Sequence, residues 1–235
     1  MSAQKAHKVR VAILDDHQST LDGYAYRLSE NRDIRVVATA RFGEQLEPML
    51  NAHAADLLVL DVGVPMSAED PNPYPLLHAI PALLESHPKL AILIISMHKQ
   101  RTLMRALMDA GAKGYILKDD TESIVKLADI VVSVAAGGVY FSKQSYHVLA
   151  GTGHEDHDFR LLTKRQVEAL SLYAADPEKS TAHLAKQMNI APSTLRNLLS
   201  DAYFRLNVHS RAAAIAKARQ LGIITPYPPE TNVPA

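Results

Sequence analysis

Residues Asp56-Leu-Leu-Val-Leu-Asp61 place four apolar side chains in a row between two carboxylates. The run is far short of the roughly 20 apolar residues a membrane-spanning helix needs. It also lacks the polar alternation of a strand with one wet face. It fits a strand covered on both sides, as in a parallel sheet flanked by helices. Asp61 then stands at the carboxyl end of that strand, the edge where open parallel sheets gather their chemistry.

Working outward, the same kind of run recurs at Val9-Arg-Val-Ala-Ile-Leu14, Ile34-Arg-Val-Val-Ala38, Ile92-Leu-Ile-Ile95 and Tyr115-Ile-Leu117. Between the runs, residues 21–29, 44–51, 76–86 and 103–110 carry apolar positions at helical spacing, and a fifth helix is expected from Glu122 to about Ala136. Five such units predict an α/β doubly wound, five-stranded parallel sheet with right-handed crossovers. One connection stands out. Pro65-Met-Ser-Ala-Glu-Asp-Pro-Asn-Pro-Tyr-Pro75 holds four prolines and reads as an extended loop, and Pro81 predicts a late start or a kink in the third helix.

The remaining chain changes character. Gly137-Gly138 closes the fifth helix, and the polar stretch from Gly151 to Asp158 suggests a linker over residues 137–158. Residues 162–224 are wholly helical in pattern, which gives a second module over 159–224, and the Pro-rich residues 225–235 read as a disordered tail. The front module is thus expected over residues 8–136.

Composition narrows the chemistry. The 235 residues contain no cysteine, which excludes disulfides, thiolate metal sites and cysteine nucleophiles. No run is long enough to span a membrane, and the first residues lack a signal-peptide pattern, so a soluble cytoplasmic protein with no membrane partner is expected. Net charge is zero, but residues 159–224 carry ten Lys/Arg against four Asp/Glu. That bias suits a polyanion partner for the second module.

Polar residues mark the strand ends of the front module: Asp15 and Asp16 after the first, Asp61 after the third, Ser96 after the fourth, Lys118 after the fifth. Crowded carboxylates repel, and a hard oxygen-seeking cation such as Mg²⁺ relieves the repulsion. One carboxylate can then attack a phosphoryl group, while metal, hydroxyl and ammonium share the charge on its oxygens. Taken singly, each residue also reads as a helix cap, a loop hydroxyl or a surface charge. Those readings do not predict that four of five strands end in the residue types of one reaction.

Leu14-Asp-Asp-His17, Leu60-Asp-Val-Gly-Val-Pro65, Ile95-Ser-Met-His98 and Gly114-Tyr-Ile-Leu-Lys118, in that order, resemble the flavodoxin-like receiver domain of two-component response regulators. The resemblance implies that Asp61 accepts phosphate from a sensor histidine kinase. It implies Mg²⁺ held by Asp15, Asp16, Asp61 and the backbone carbonyl of Gly63. It also implies a switch made of Ser96, Lys118 and the aromatic ring of Tyr115. The chain departs from the pattern in its long Pro-rich loop, in the bare Gly63 two residues past Asp61, and in Asp119 where many receivers have proline.

In the back module, winding residues 192–206 as a helix puts Leu195, Leu199, Ala202 and Leu206 within about 60° of one another. Ser193, Arg196, Asn197, Ser200 and Phe204 fall opposite, a face with the donors and acceptors a major-groove helix uses. A shorter helix over residues 180–188 precedes it, and Pro192 suits a first helical position, so helix, turn and helix follow in order. Amphipathicity alone equally fits a plain helical bundle. Leu162-Thr-Lys-Arg-Gln-Val-Glu-Ala-Leu170, Thr194-Leu-Arg196, Tyr203-Phe-Arg-Leu-Asn-Val208 and Gly222-Ile-Ile224, however, resemble the LuxR-type effector domain.

A receiver followed by such a domain resembles the NarL/FixJ group of transcription factors. That resemblance implies double-stranded DNA bound by a homodimer, through Ser193, Thr194, Arg196, Asn197 and Ser200, with Lys164, Lys186 and Arg205 on phosphates. Ala191 replaces the usual serine cap of the recognition helix. The losses in this module keep a second reading open: a regulator that binds DNA weakly or not at all and acts by interaction or heterodimerisation. A third reading, an aspartyl-phosphate enzyme, needs a substrate lid that the sequence does not supply, so no enzymatic activity is expected.

Overall fold

The computed structural model describes residues 8–151 and 161–227. The front module runs β1 (Val9–Leu14), α1 (Gln18–Ser29), β2 (Ile34–Ala40), a 3₁₀ turn (Gly43–Gln45), α2 (Leu46–Ala52), β3 (Leu57–Leu60) and α3 (Leu76–Ser86). It continues with β4 (Ala91–Ser96), α4 (Arg101–Asp109), β5 (Gly114–Leu117), α5 (Thr121–Val125), α6 (Leu127–Ala135), β6 (Tyr140–Phe141) and α7 (Lys143–Ala150). All strand pairs are parallel, in the order β2-β1-β3-β4-β5-β6.

Strand alternation divides the front core into two layers. Ala12, Leu14, Leu58, Leu60, Ile92, Ile94, Tyr115 and Leu117 face α2, α3 and α4. Val11, Ile13, Leu57, Val59, Leu93, Ile95 and Ile116 face α1 and α6. Both faces are dry, which is why the strands read as unbroken apolar runs rather than as an alternating pattern.

Four local expectations change. The sheet has a sixth strand, and α7 follows it, within the span read as a linker. Val148 and Leu149 of α7 pack against the front core, and Ser142 caps the helix by accepting from the Ser145 amide. Residues 152–158 of the expected linker lie outside the described residues. The fifth helix is divided at Lys126 (φ −88°, ψ 11°) into α5 and α6. The third helix starts at Leu76 with Pro81 inside it rather than starting late. Finally, Thr225 is buried and Tyr227 hydrogen-bonds Asn72, so the first three residues of the expected tail have defined places; residues 228–235 lie outside the description.

The back module contains α8 (Lys164–Ala175), α9 (Thr181–Gln187), α10 (Pro192–Arg205) and α11 (Arg211–Gln220) around a separate core that includes Leu170, Leu184, Leu195, Leu199 and Ile224. Three of its turns end a helix on a left-handed residue: Asn189 (φ 53°), Asn207 (φ 53°) and Gly222 (φ 66°). In each case the next amide reaches back to the preceding turn, as in Ile190 to the Ala185 carbonyl, which satisfies orphaned carbonyls.

Candidate functional site

Register builds the pocket. Leu14 pairs with Leu60 across β1 and β3, so Asp15 and Asp61 leave the sheet side by side, where the strand order turns back on itself. Ser96 pairs with Leu117 across β4 and β5, so Lys118 emerges one step beyond. Lys118 Nζ then lies 2.7 Å from Asp15 Oδ2 and 2.8 Å from Asp61 Oδ2. Residues 15, 61 and 118 are brought onto one ammonium by three strand ends. The other Asp61 oxygen accepts from the Val62 amide at 2.7 Å, and Asp15 Oδ1 accepts from the His17 amide at 3.0 Å.

The electrostatics follow from this crowding. Burial alone would push the Lys118 ammonium down, but Asp61 and Asp15 outweigh burial and hold it above the usual lysine range. Burial raises the Asp15 carboxyl, with the charge of Asp61 adding to the rise and Lys118 opposing it. The pocket therefore carries excess negative charge that one lysine only partly offsets.

Ser96 is fully buried and its hydroxyl accepts from the His98 amide at 3.3 Å. Tyr115 is also fully buried, and its hydroxyl donates to the His98 carbonyl at 2.8 Å. Burial raises that phenol, with Ser96 beside it acting in the opposite direction. Gly63 is buried two residues past Asp61. His98 closes the Ile95-Ser-Met-His98 segment at the end of β4. It is buried at the pocket, and burial lowers its imidazole, with Asp61 acting against that shift.

The donor set suits a small hard cation. Asp15, Asp16 and His17 each offer a ligand atom, all within 4.8 Å of one another. His17 Nδ1 already bonds Asp16 Oδ1 at 2.8 Å, which leaves carboxylate oxygens as the hard donors. Asp61 shares Lys118 with Asp15, so its carboxylate faces the same space. Burial is the main cause that raises the Asp15 carboxyl, and the neighbouring Asp61 carboxylate adds to it.

The second candidate surface lies on α10. Its inward stripe, Leu195, Leu199, Ala202 and Leu206, is buried, and Ser193, Thr194, Arg196, Asn197 and Ser200 are exposed on the outer side. Pro192 opens the helix, and Ala191 offers no side-chain cap. Ser180 caps α9 through the His183 amide, and Lys186 is exposed. Arg205 is exposed and reaches the Leu161 carbonyl at 3.4 Å. Lys164 is exposed as well; it begins α8 beside α3 and α4 and lines a cleft between the two modules. Phe204 is 87% exposed, an unusual state for a large apolar side chain.

A switch-point pocket of this composition, on a sheet joined to a helix-turn-helix module, defines a receiver coupled to a nucleic-acid-binding domain. The profile described as "Response regulator receiver domain" matches residues 11–129, and that described as "Bacterial regulatory proteins, luxR family" matches residues 160–218. The chain belongs to the response regulators of the NarL/FixJ type. It is 28% identical to "Probable transcriptional regulatory protein NarL" of Mycobacterium tuberculosis, over 93% of this chain and 97% of that one. It is 30% identical to "Oxygen regulatory protein NreC" of Staphylococcus haemolyticus, over 71% and 77%. Among solved structures, RcsB of Salmonella enterica serovar Typhimurium bound to promoter rprA with the phosphomimetic BeF3⁻ superposes with a TM-score of 0.61. That match has 19% identity over 90% of this chain and 98% of that one, a likeness of fold.

Proposed function

We propose that Asp61 takes a phosphoryl group from a partner histidine kinase, and that the modified protein regulates transcription by binding double-stranded DNA through α10 as a dimer. The observation that carries this reading is the single Lys118 ammonium on both Asp15 and Asp61. An Asp61 oxygen forms the new O–P bond as the N–P bond of a phosphohistidine breaks, and the imidazole keeps the electron pair. Lys118 would hold one phosphoryl oxygen, and the buried Ser96 hydroxyl, at the end of the adjoining strand β4, would be the switch donor. Asp15, Asp16, Asp61 and the Gly63 carbonyl would hold Mg²⁺, which when bound neutralises charge on the phosphoryl oxygens.

The Tyr115 ring is already inward and hydrogen-bonded, so in this reading phosphorylation stabilises that position rather than creating it. Phosphate on Asp61 is a signal in this account, not an intermediate of substrate turnover. Cytoplasmic placement fits a DNA-binding regulator, and among the described residues no helix is long and apolar enough to cross a membrane.

Exposed Ser193, Thr194, Arg196, Asn197 and Ser200 would read base edges, with Lys186 and Arg205 on phosphates. Lys164, exposed at the start of α8 beside the cleft lined by α3 and α4, would add a further phosphate contact. A second reading draws on the uncapped start of α10 and the bare Phe204: weak DNA contact and pairing with another regulator.

Treatment with a small-molecule phosphodonor should add one phosphoryl group to the wild type and none to Asp61→Asn, read by intact mass. Unchanged labelling of the variant sinks the assignment. The two readings of α10 part on salt: a steep fall in DNA affinity with rising salt marks real phosphate contacts.

A further inference from the structure

Three helices wall an open cleft between the modules. Its volume is about 440 Å³, the size of a small-molecule site, and such sites favour the junctions between domains. To its wall α3 gives Leu77, Pro81 and Glu85, α4 gives Ala106 and Asp109, and α8 gives Val167. The α3 positions recur every four residues, so they form one stripe along the helix, roughly 12 Å from end to end. Most of that wall is apolar, and apolar surface in contact with water is what a ligand covers with gain.

The polar groups of the cleft fall into two sets. Those at one end are taken up within the protein. His78 Nδ1 lies 3.2 Å from Glu168 Oε1, Arg165 holds the other Glu168 oxygen at 2.9 Å, and the Thr102 hydroxyl donates to the Leu221 carbonyl. At the other end stand Glu85 and Asp109, in the last turns of α3 and α4. Both helices follow strands of one parallel sheet and cover the same face of it, so they run in one direction. Leu84 packs against Gly111 just past α4, where a Cβ would collide with it, and this brings the two helix ends side by side.

Glu85 and Asp109 are both exposed, and no salt bridge formed among the described residues includes either. Two carboxylates at two helix C-termini add to the negative ends of the helix dipoles, and the combination attracts a cation. Against them the cleft wall carries one ammonium, Lys164.

We propose that this cleft binds a small amphipathic cation, an apolar body of phenylalkyl size carrying one ammonium. The body lies between α3, α4 and α8, and the ammonium lies between Glu85 and Asp109. Such a ligand buries no unpaired charge, because its head stays at the wet mouth while its body displaces water from Leu77, Pro81, Ala106 and Val167. A carboxylate on the same body would meet like charge at the mouth, and an alcohol would gain the apolar contact alone. The cleft shares no residue with the acidic pocket, so the site stands whether or not Asp61 accepts phosphate.

Isothermal titration of the full chain with phenylbutylammonium, phenylbutanol and phenylbutyrate compares one body with three heads. The ammonium should bind saturably and about tenfold more tightly than the alcohol, the gain expected from two exposed ion pairs, with the carboxylate weakest. Rising salt should narrow that gap, since the head is exposed. Glu85→Gln with Asp109→Asn should bring the ammonium down to the level of the alcohol and leave the alcohol unchanged. Ala82→Phe and Ala106→Phe, which fill the cleft from α3 and from α4, should each weaken all three probes. Ala82 is exposed, so Ala82→Phe should lose affinity while keeping the wild-type thermal midpoint. No saturable binding of the ammonium overturns the site, as does a carboxylate that binds as tightly, or binding unaffected by both filling variants. An ammonium preference that survives Glu85→Gln with Asp109→Asn overturns the placing of the head.

Discussion

The acidic pocket and the outer face of α10 are both candidate sites, yet they are built in opposite ways. The pocket gathers residues 15, 61, 96 and 118 from four strand ends: Asp15, Asp61 and Ser96 are buried, and the half-buried Lys118 joins the two carboxylates. The α10 face takes Ser193 to Ser200 from two turns of one helix, exposed and separately solvated. Groups that share partners respond to substitution together, whereas independent groups respond additively. The pocket should therefore fail as a unit and the helix face residue by residue.

The sharpest break comes at Asp61→Asn, which should abolish phosphorylation and the phosphorylation-dependent change in DNA binding outright, read by intact mass and gel shift. Lys118→Met comes next. It strands two carboxylates and should cost about 3 kcal/mol of stability by urea denaturation. The cost should shrink when Asp15→Asn is added, because the pair shares Lys118. Purely additive losses would show that the pocket is not a coupled unit.

On the helix face, Arg196→Ala should weaken DNA binding by about 1–3 kcal/mol with no change in thermal midpoint. Loss of folding there would blur the contrast. Ala191→Ser restores a cap and should stabilise the back module by about 1 kcal/mol, measured by thermal melting.

The last test lies on the pH axis. Asp15 is raised by burial and by Asp61, so the fold holds its proton more tightly than the unfolded chain does. Its ionised form thus costs stability above the folded-state pKa, and the cost vanishes below the unfolded value of about 3.9. Asp15→Asn should raise the melting temperature at pH 7 without Mg²⁺, and the gain should fade on acidification. A gain independent of pH would assign it to something other than charge.

Much of the pocket was legible because chemistry concentrates at strand ends, and each end could be read from a short apolar run followed by a polar residue. The α10 stripe was equally legible, since Leu195, Leu199 and Ala202 repeat at helical spacing over one element. What escaped was short or remote. β6 has only two residues, and its helix α7 carries one useful sign, the Ser142 cap. The placing of Lys164 against α3 and α4, and of Tyr227 against Asn72, had no local signal.

By itself, then, the sequence determined the five longer strands and the helices with clear apolar spacing, which faces are apolar, and which polar residues close the strands. Those properties depend on neighbours a few positions apart, whose periodicity the chain states directly. Tertiary structure alone decided that Asp15 and Asp61 share one ammonium, that Tyr115 lies inward, and that the segment after α11 meets the start of α4 and the loop after β3. Each of these joins residues distant along the chain. Such meetings are fixed by sheet register and by how two cores settle against each other, energies that belong to the packed whole and to no single stretch of it.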